Sequence, residues 1–335
     1  MNAHAHLQLE PLARPVRSFV PWLRAVIADR SRRSLDDLER AAERALESDS
    51  LCRSIGEVDS TGASRSALAR ARTRGRLYRE LLGFDLDSRA ARALVRGTDT
   101  PATRRCPRGL SPHAPYSVSS PLLRAAVRTR RPLMVHVAES PEEVEFQATG
   151  RGPFRELLED LDRLPRDFRP RRESSVEWLA RHRALSPRTA LVHCQHISDG
   201  DLALIVDARA PVVVCPGTIR YFRRRPPPLE EWIRAGVRFA LGTDSRASHD
   251  GDATIVGELV TARRLWPNVE PERLLTGITA AAGRAIARPD LGVLRVGGPA
   301  DFVGVAWSGP TTAETLFDGL ASGSVECRAF PRDPR

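Results

Sequence analysis

Two histidines one residue apart, His4 and His6, stand at the head of the chain. On a β-strand, residues i and i+2 project to the same face, so both imidazoles can meet one cation. Alone, the pair reads equally well as two histidines on an untidy terminus. Three more positions change the balance. His136 follows the apolar run Leu133-Met134-Val135, His193 follows Ala190-Leu191-Val192, and Asp244 follows Ala240-Leu241-Gly242-Thr243. A His or Asp at one strand end is usually a cap or a satisfied core group, but four such strands are hard to explain by packing. Imidazole nitrogen with carboxylate oxygen is the donor set of a borderline cation such as Zn2+. Such an ion lowers the pKa of bound water to about 7, which makes hydrolysis the chemistry to expect.

The positioning elements are legible as apolar runs. Clear strand-like runs occupy 132–137, 189–194, 211–215 and 237–241, with weaker ones at 3–9, 54–58, 75–82 and 110–113. Between them lie charged stretches of helical period at 18–30, 34–47, 120–130, 141–147, 174–183, 199–209 and 229–235. Alternation of this kind predicts parallel strands covered by helices, and eight such strands predict a (β/α)8 barrel with its chemistry at the C-terminal strand ends. Ser34-Leu35-Asp36-Asp37 reads as a helix start, with an N-cap and acids in the first turn. The Pro- and Arg-rich segment 163–172 reads as a surface connection, and Arg223-Arg224-Arg225-Pro226-Pro227-Pro228 as a rigid loop after the seventh strand.

The 335 residues are 41% hydrophobic, enough for a substantial core, and the mean hydropathy of −0.32 is that of a water-soluble chain. No apolar stretch approaches the roughly 20 residues of a membrane helix. No basic segment followed by an apolar run marks a signal peptide, so the expected location is the cytoplasm. The net charge is +10, and all 52 basic residues are Arg. They are interleaved with acids, as on solvated helix faces, which argues for codon bias rather than a nucleic-acid partner. Five cysteines without paired spacing and without a CxxC argue against a disulfide framework and against a thiolate metal site.

The ordered set His4-Ala5-His6, Ser111-Pro112-His113-Ala114-Pro115-Tyr116, His136-Val137-Ala138-Glu139-Ser140, Val192-His193-Cys194-Gln195-His196 and Gly242-Thr243-Asp244-Ser245 resembles the amidohydrolase superfamily. Within it, the set resembles the branch of chlorohydrolases, S-adenosylhomocysteine and methylthioadenosine deaminases, and aminodeoxyfutalosine deaminases. Asn2-Ala3-His4-Ala5-His6-Leu7, Arg79-Glu80-Leu81-Leu82-Gly83-Phe84 and Gly152-Pro153-Phe154-Arg155-Glu156-Leu157 are most similar to the last of these, which serve the futalosine route to menaquinone. The resemblance runs from about residue 2 to residue 305.

The resemblance implies that His4, His6, His136 and Asp244 bind one divalent metal, Zn2+ or alternatively Fe2+. It implies that Glu139 shuttles protons to the purine ring nitrogen and the leaving ammonia, that His193 steadies the attacking water or the developing oxygen, and that Asp244 also accepts the water's proton. His113, Glu80 and His196 would line the substrate pocket, whereas His182 and His249 read as solvated surface. The implied partner is a small aminated purine nucleoside, with no nucleic acid and no membrane, and with a homodimer left open. The implied domains are a barrel over 1–290 and an incomplete β-sandwich remnant over 291–335. Other readings of the same residues are a hydrolase of another leaving group, such as a chlorotriazine or guanine, and a barrel that binds without turnover.

Three departures from the family pattern stand out. The family carries a longer leader before its His-x-His, forming half of the small sandwich, so a fraying first strand and exposed edges around Phe302 and Val303 are expected. Gln8 stands where a Glu is usual. After the seventh strand, Cys215-Pro216-Gly217-Thr218-Ile219-Arg220 replaces an Arg-Ser-Asn-Arg run, in a loop expected to touch substrate.

Overall fold

The computed structural model describes residues 1–98, 103–309, 312–322 and 325–330. The eight predicted runs form strands: β1 (Asn2–His6), β2 (Ser54–Asp59), β3 (Arg74–Leu81), β4 (Arg108–Pro112), β5 (Leu133–Val137), β6 (Thr189–His193), β7 (Val212–Val214) and β8 (Phe239–Leu241), followed at once by β9 (Asp244–Ser245). Every neighbouring pair in this sheet is parallel. The strands are buried along their whole length in β1, β5 and β6, because the barrel interior covers one face and helices the other.

The strand order is β8-β7-β6-β5-β4-β3-β2-β1-β9, and its two ends are halves of one bent strand. Gly242 donates its N–H to the Val214 carbonyl at 3.0 Å, while Thr243 donates to the His4 carbonyl at 3.0 Å. The segment therefore bonds to β7 on one side and β1 on the other, which closes the (β/α)8 barrel. A Cβ at Gly242 would lie 2.9 Å from His4 Cβ, N and O, so only glycine fits where this strand crosses β1.

Helices cover the outside. The helix Leu35–Ser48 begins as the sequence predicts: Ser34 accepts the Asp37 N–H while the Asp37 side chain accepts the Ser34 N–H. Short helices at Ser64–Arg70, Ser88–Gly97 and Pro153–Asp160 escape the periodicity because two turns carry too little pattern. The segment after β7, read as a loop, is instead the helix Pro216–Tyr221. A large core cluster including Leu122, Trp178, Leu191, Val212 and Trp266 packs the barrel against its helices. Met134, two residues before His136 on the same strand face, clusters with Tyr78, Ala190, Val192, Val213 and Ala240.

Beyond the barrel, β10 (Val303–Ala306) pairs antiparallel with β11 (Glu326–Ala329), with the helix Ala313–Ser322 between them. Arg74 donates to Asp301 at 2.9 Å, tying this segment to the barrel. Phe302 is 38% exposed, whereas Val303 is half-buried and pairs with Ala329 of β11. The first strand, expected to fray, is paired on both sides. It lies between β2 and β9, and the Met1 ammonium donates to the Ile278 carbonyl at 2.8 Å. Among the described residues, no helix is long and apolar enough to cross a membrane.

Candidate metal centre and active site

The side chains of His4, His136, His193 and Asp244 place one ligand atom each within 4.8 Å of one another, all buried. His4 lies in the middle of β1, His136 and His193 towards the C-terminal ends of β5 and β6, and Asp244 in β9, so closure of the barrel brings four distant sequence positions to one point. His136 Nε2 lies 3.2 Å from His4 Nε2 and 3.2 Å from His6 Nε2. Asp244 Oδ1 lies 3.5 Å from His4 Nε2 and 3.8 Å from His6 Nε2. Zn–N bonds of about 2.0–2.1 Å in a tetrahedron give nitrogen–nitrogen edges of about 3.3 Å. The donor set therefore fits a divalent metal ion in both chemistry and spacing. His6 and His136 also form a second close group, with Glu80.

The electrostatics favour the same reading. Burial, reinforced by the neighbouring imidazoles, holds His136 well below the ordinary histidine range and takes His6 down to about 3. Both rings are thus neutral at pH 7, the form that binds metal. His136 donates its Nδ1–H to the His113 carbonyl at 2.9 Å, which leaves Nε2 with its lone pair facing the cluster. Burial would raise the Asp244 carboxyl, but the bond to His4 and the surrounding imidazoles hold it well below the usual carboxylate range. Its Oδ2 accepts from Thr218 at 3.0 Å and from Ser248 at 2.8 Å, so Oδ1 is the oxygen left for the centre.

Glu139 and His193 stand beside this cluster. Glu139 Oε2 lies 3.4 Å from His193 Nε2, a buried nitrogen with no hydrogen-bond partner among the described residues. Burial pushes the Glu139 carboxyl up to about 8, against the pull of Arg224. A strongly raised carboxyl in a cleft is the usual preparation of a proton donor. His193 and Asp244 have φ of 72° and 57°, and Ala138 one of 46°. Left-handed backbone at non-glycine residues costs energy and tends to cluster where a site fixes side-chain direction.

The cluster forms the floor of a cavity of about 900 Å³, a size that takes a small-molecule ligand. His6, Glu80, His113, His136, Glu139, His193 and Asp244 all reach it. Its wall is aromatic and aliphatic, with Phe19, Trp22, Phe84, Tyr116 and Phe154. Glu80 lies 3.9 Å from His113 Nε2; burial, offset by Arg30, takes its carboxyl up to about 7.

Several sequence expectations need correction. His196 is not among the residues lining the cavity; its backbone N–H donates to the Ala138 carbonyl at 2.9 Å. The Cys215–Arg220 segment does not line the cavity either, because it coils into a helix behind Asp244. His249 is not solvated surface: it lies 2.9 Å from the fully buried Glu258. His182 is half-buried, with its ring 5.2 Å from that of Trp178. Gln8 is buried, and the acid at this end of β1 comes from Glu57 of β2, which accepts the Leu7 N–H.

Two residues at the site carried no sequence signal. Arg224 donates to Glu139 Oε1 at 3.3 Å, with its guanidinium 4.4 Å from the Phe222 ring and 5.0 Å from Phe19. Nothing in the sequence separates it from the other arginines. Glu143 accepts the backbone N–H of Ala138 at 2.8 Å and of Glu139 at 2.9 Å, fixing the turn that presents Glu139. Its position after Ser140-Pro141 looks like an ordinary first-turn helix acid.

Comparison with known proteins agrees with this geometry. Residues 83–326 match the amidohydrolase family, a span that includes His136, Glu139, His193 and Asp244; the His4-His6 strand joins them through the barrel. The chain is 31% identical to an aminodeoxyfutalosine deaminase of Deinococcus radiodurans, over 85% of this chain and 72% of that protein. It is 30% identical to a 5-methylthioadenosine/S-adenosylhomocysteine deaminase of Syntrophobacter fumaroxidans, over 60% of this chain and 44% of that protein. In fold it is similar to Helicobacter pylori aminofutalosine deaminase in complex with methylthio-coformycin, with a TM-score of 0.82 at 21% identity, covering 95% of this chain and 81% of that one. It is also similar to a zinc-complexed atrazine chlorohydrolase of Arthrobacter aurescens, with a TM-score of 0.74 at 20% identity, covering 98% and 80% of the two chains. The family match, the relative at 31% identity and the (β/α)8 barrel agree: the chain belongs to the amidohydrolase family of hydrolytic enzymes.

Proposed function

We propose that this chain is a metal-dependent aminohydrolase that deaminates an adenine-type nucleoside, with 6-amino-6-deoxyfutalosine, a precursor on a route to menaquinone, as its substrate. The observation that carries the reading is the meeting of His4, His6, His136 and Asp244, with His136 Nε2 3.2 Å from both His4 Nε2 and His6 Nε2 and Asp244 Oδ1 3.5 Å and 3.8 Å from the same two atoms, beside Glu139, whose carboxyl burial pushes up to about 8, on the floor of one aromatic-walled cavity. The deaminase relatives support the adenine-type substrate.

In this reading His4, His6, His136 and Asp244 hold one divalent ion, with Zn2+ preferred for its affinity for nitrogen and carboxylate donors. When bound, that ion supplies an activated water at neutral pH. Glu139 gives its proton to the ring nitrogen beside the amino-bearing carbon as the water adds there, so the ring accepts the new electron pair. Asp244 takes a proton from the attacking water. His193 donates from Nε2 to the oxygen as charge develops on it. The proton on Asp244 then passes to the departing amine, the added hydroxyl returns its own proton to Glu139 as the carbon–nitrogen bond breaks, and ammonia and the oxo-purine result. Arg224 orients Glu139 through Oε1, and the aromatic wall with Glu80 and His113 receives the nucleoside. In this reading the barrel spans 1–290 and carries all of these residues, with 291–335 the incomplete remnant of a small β-sandwich.

Ammonia release from a panel of aminated purine nucleosides, measured on protein of known metal content, tests the reading. Turnover of an adenine-type nucleoside supports it. Turnover of only a chlorotriazine or guanine, or of nothing by metal-loaded protein, overturns it.

A further inference from the structure

The Asp244 carboxylate is held by two hydroxyls, and both trace back to a single buried acid. Thr218 Oγ1 and Ser248 Oγ donate to Asp244 Oδ2 at 3.0 Å and 2.8 Å. The residue before Thr218, Gly217, donates its N–H to Glu258 Oε2 at 2.7 Å. The residue after Ser248, His249, places Nε2 at 2.9 Å from Glu258 Oε1. Each oxygen of one carboxylate therefore fixes the neighbour of one hydroxyl donor. We propose that Glu258, with His249, is a positioning residue for Asp244, acting through Thr218 and Ser248 to aim Oδ1 at the metal centre.

Three physical arguments support this. Asp244 has φ of 57°, a conformation the backbone does not prefer, so its direction must be imposed by its surroundings. Glu258 is fully buried, and a carboxylate is retained in such a place only with good partners, which here are Gly217 and His249. Gly217 also has a reason to be glycine. A Cβ there would lie 2.1 Å from His249 Nε2 and 2.4 Å from Glu258 Oε1. The glycine at this point of the segment after β7 is thus accounted for: the space over Gly217 is filled by the His249–Glu258 pair. None of Gly217, Thr218, Ser248, His249 and Glu258 lines the cavity, so the pair acts on the metal ligand and not on substrate.

The inference rests on Asp244 being a metal ligand, and the test separates the two. Zn2+ affinity is measured on the full chain by competition with a chromophoric chelator, alongside the thermal midpoint of the metal-free protein. Losing partners behind a metal ligand typically weakens metal affinity about 10–100-fold. Glu258→Ala should show a loss of that size, Glu258→Gln a smaller one, because its amide oxygen still accepts from one arm. Thr218→Val should weaken affinity by itself, and Glu258→Ala/Thr218→Val should be less than additive, since both act on the same carboxylate. In turnover assays the substrate KM should stay near wild type while Zn2+ affinity falls. Unchanged Zn2+ affinity in folded Glu258→Ala, or in Thr218→Val and His249→Leu where Glu258→Ala does not fold, overturns the proposal even if the midpoint drops. Asp244→Asn is the control: if it too leaves Zn2+ affinity intact, the ligand assignment itself has failed.

Discussion

His136 and His113 are joined by a hydrogen bond from a ring nitrogen of one to the backbone carbonyl of the other, His136 Nδ1 to His113 O at 2.9 Å. The bond fixes the tautomer of His136, and it uses nothing of the His113 side chain. His113→Ala should therefore keep about one metal ion per chain while raising the substrate KM roughly tenfold, a loss of binding common to ground and transition states. Metal content by elemental analysis and steady-state kinetics check this. A variant that loses its metal would place the His113 ring in the centre rather than in the substrate pocket.

His136→Ala removes a donor that faces both His4 and His6 at 3.2 Å. Metal and turnover should be lost together. In the wild-type protein, chelation should lower the thermal midpoint, since a ligand at about 1,000 times its Kd stabilises by about 4 kcal/mol. An unchanged midpoint on removal of a tightly bound ion would separate the cluster from the ion.

Glu139→Gln keeps the size and most of the hydrogen bonding of Glu139 but cannot move a proton. The variant should retain metal and lose about 10²–10⁴ in kcat. Loss of metal would make Glu139 a ligand, and a near-normal kcat would remove it from the reaction.

The same variant reports the protonation of Glu139 in metal-free protein. Burial takes the folded carboxyl up to about 8, against about 4.3 in an unfolded chain. Between those values the folded protein holds a proton that the unfolded chain has released. Stability from this group therefore falls as pH rises through that window. Glu139→Gln lacks the effect, so its midpoint relative to wild type should improve from about pH 5 to about pH 8.5. A flat or falling difference would mean that Glu139 is already ionised in the fold.

Gly242→Ala tests the closure of the barrel. The added Cβ would sit 2.9 Å from three atoms of His4, and two of these are backbone atoms that cannot rotate away. Destabilisation of about 1–3 kcal/mol in urea unfolding is expected from overpacking, with weaker metal retention because β1 must shift. A variant of wild-type stability and metal content would show that the strand crossing has slack.

How much of this was legible beforehand divides along a physical line. Strand positions follow from short apolar runs, and parallel-barrel topology gathers strand ends on one face, so the sequence itself leads one to expect His4, His6, His136, His193 and Asp244 near one another; that His193 rather than His6 joins His4, His136 and Asp244 in one close group came only with the coordinates. Glu80 lines the cavity. What tertiary structure alone decided are the partners behind the ligands. Arg224 reaches Glu139 across 85 residues, Glu258 reaches Gly217 across 41, and His193 lines the cavity while His196, three residues on, does not. Periodicity records which face a residue presents within its own element, whereas such contacts depend on how elements pack. An arginine or glutamate has the same sequence signature whether its charge meets water or a buried carboxyl.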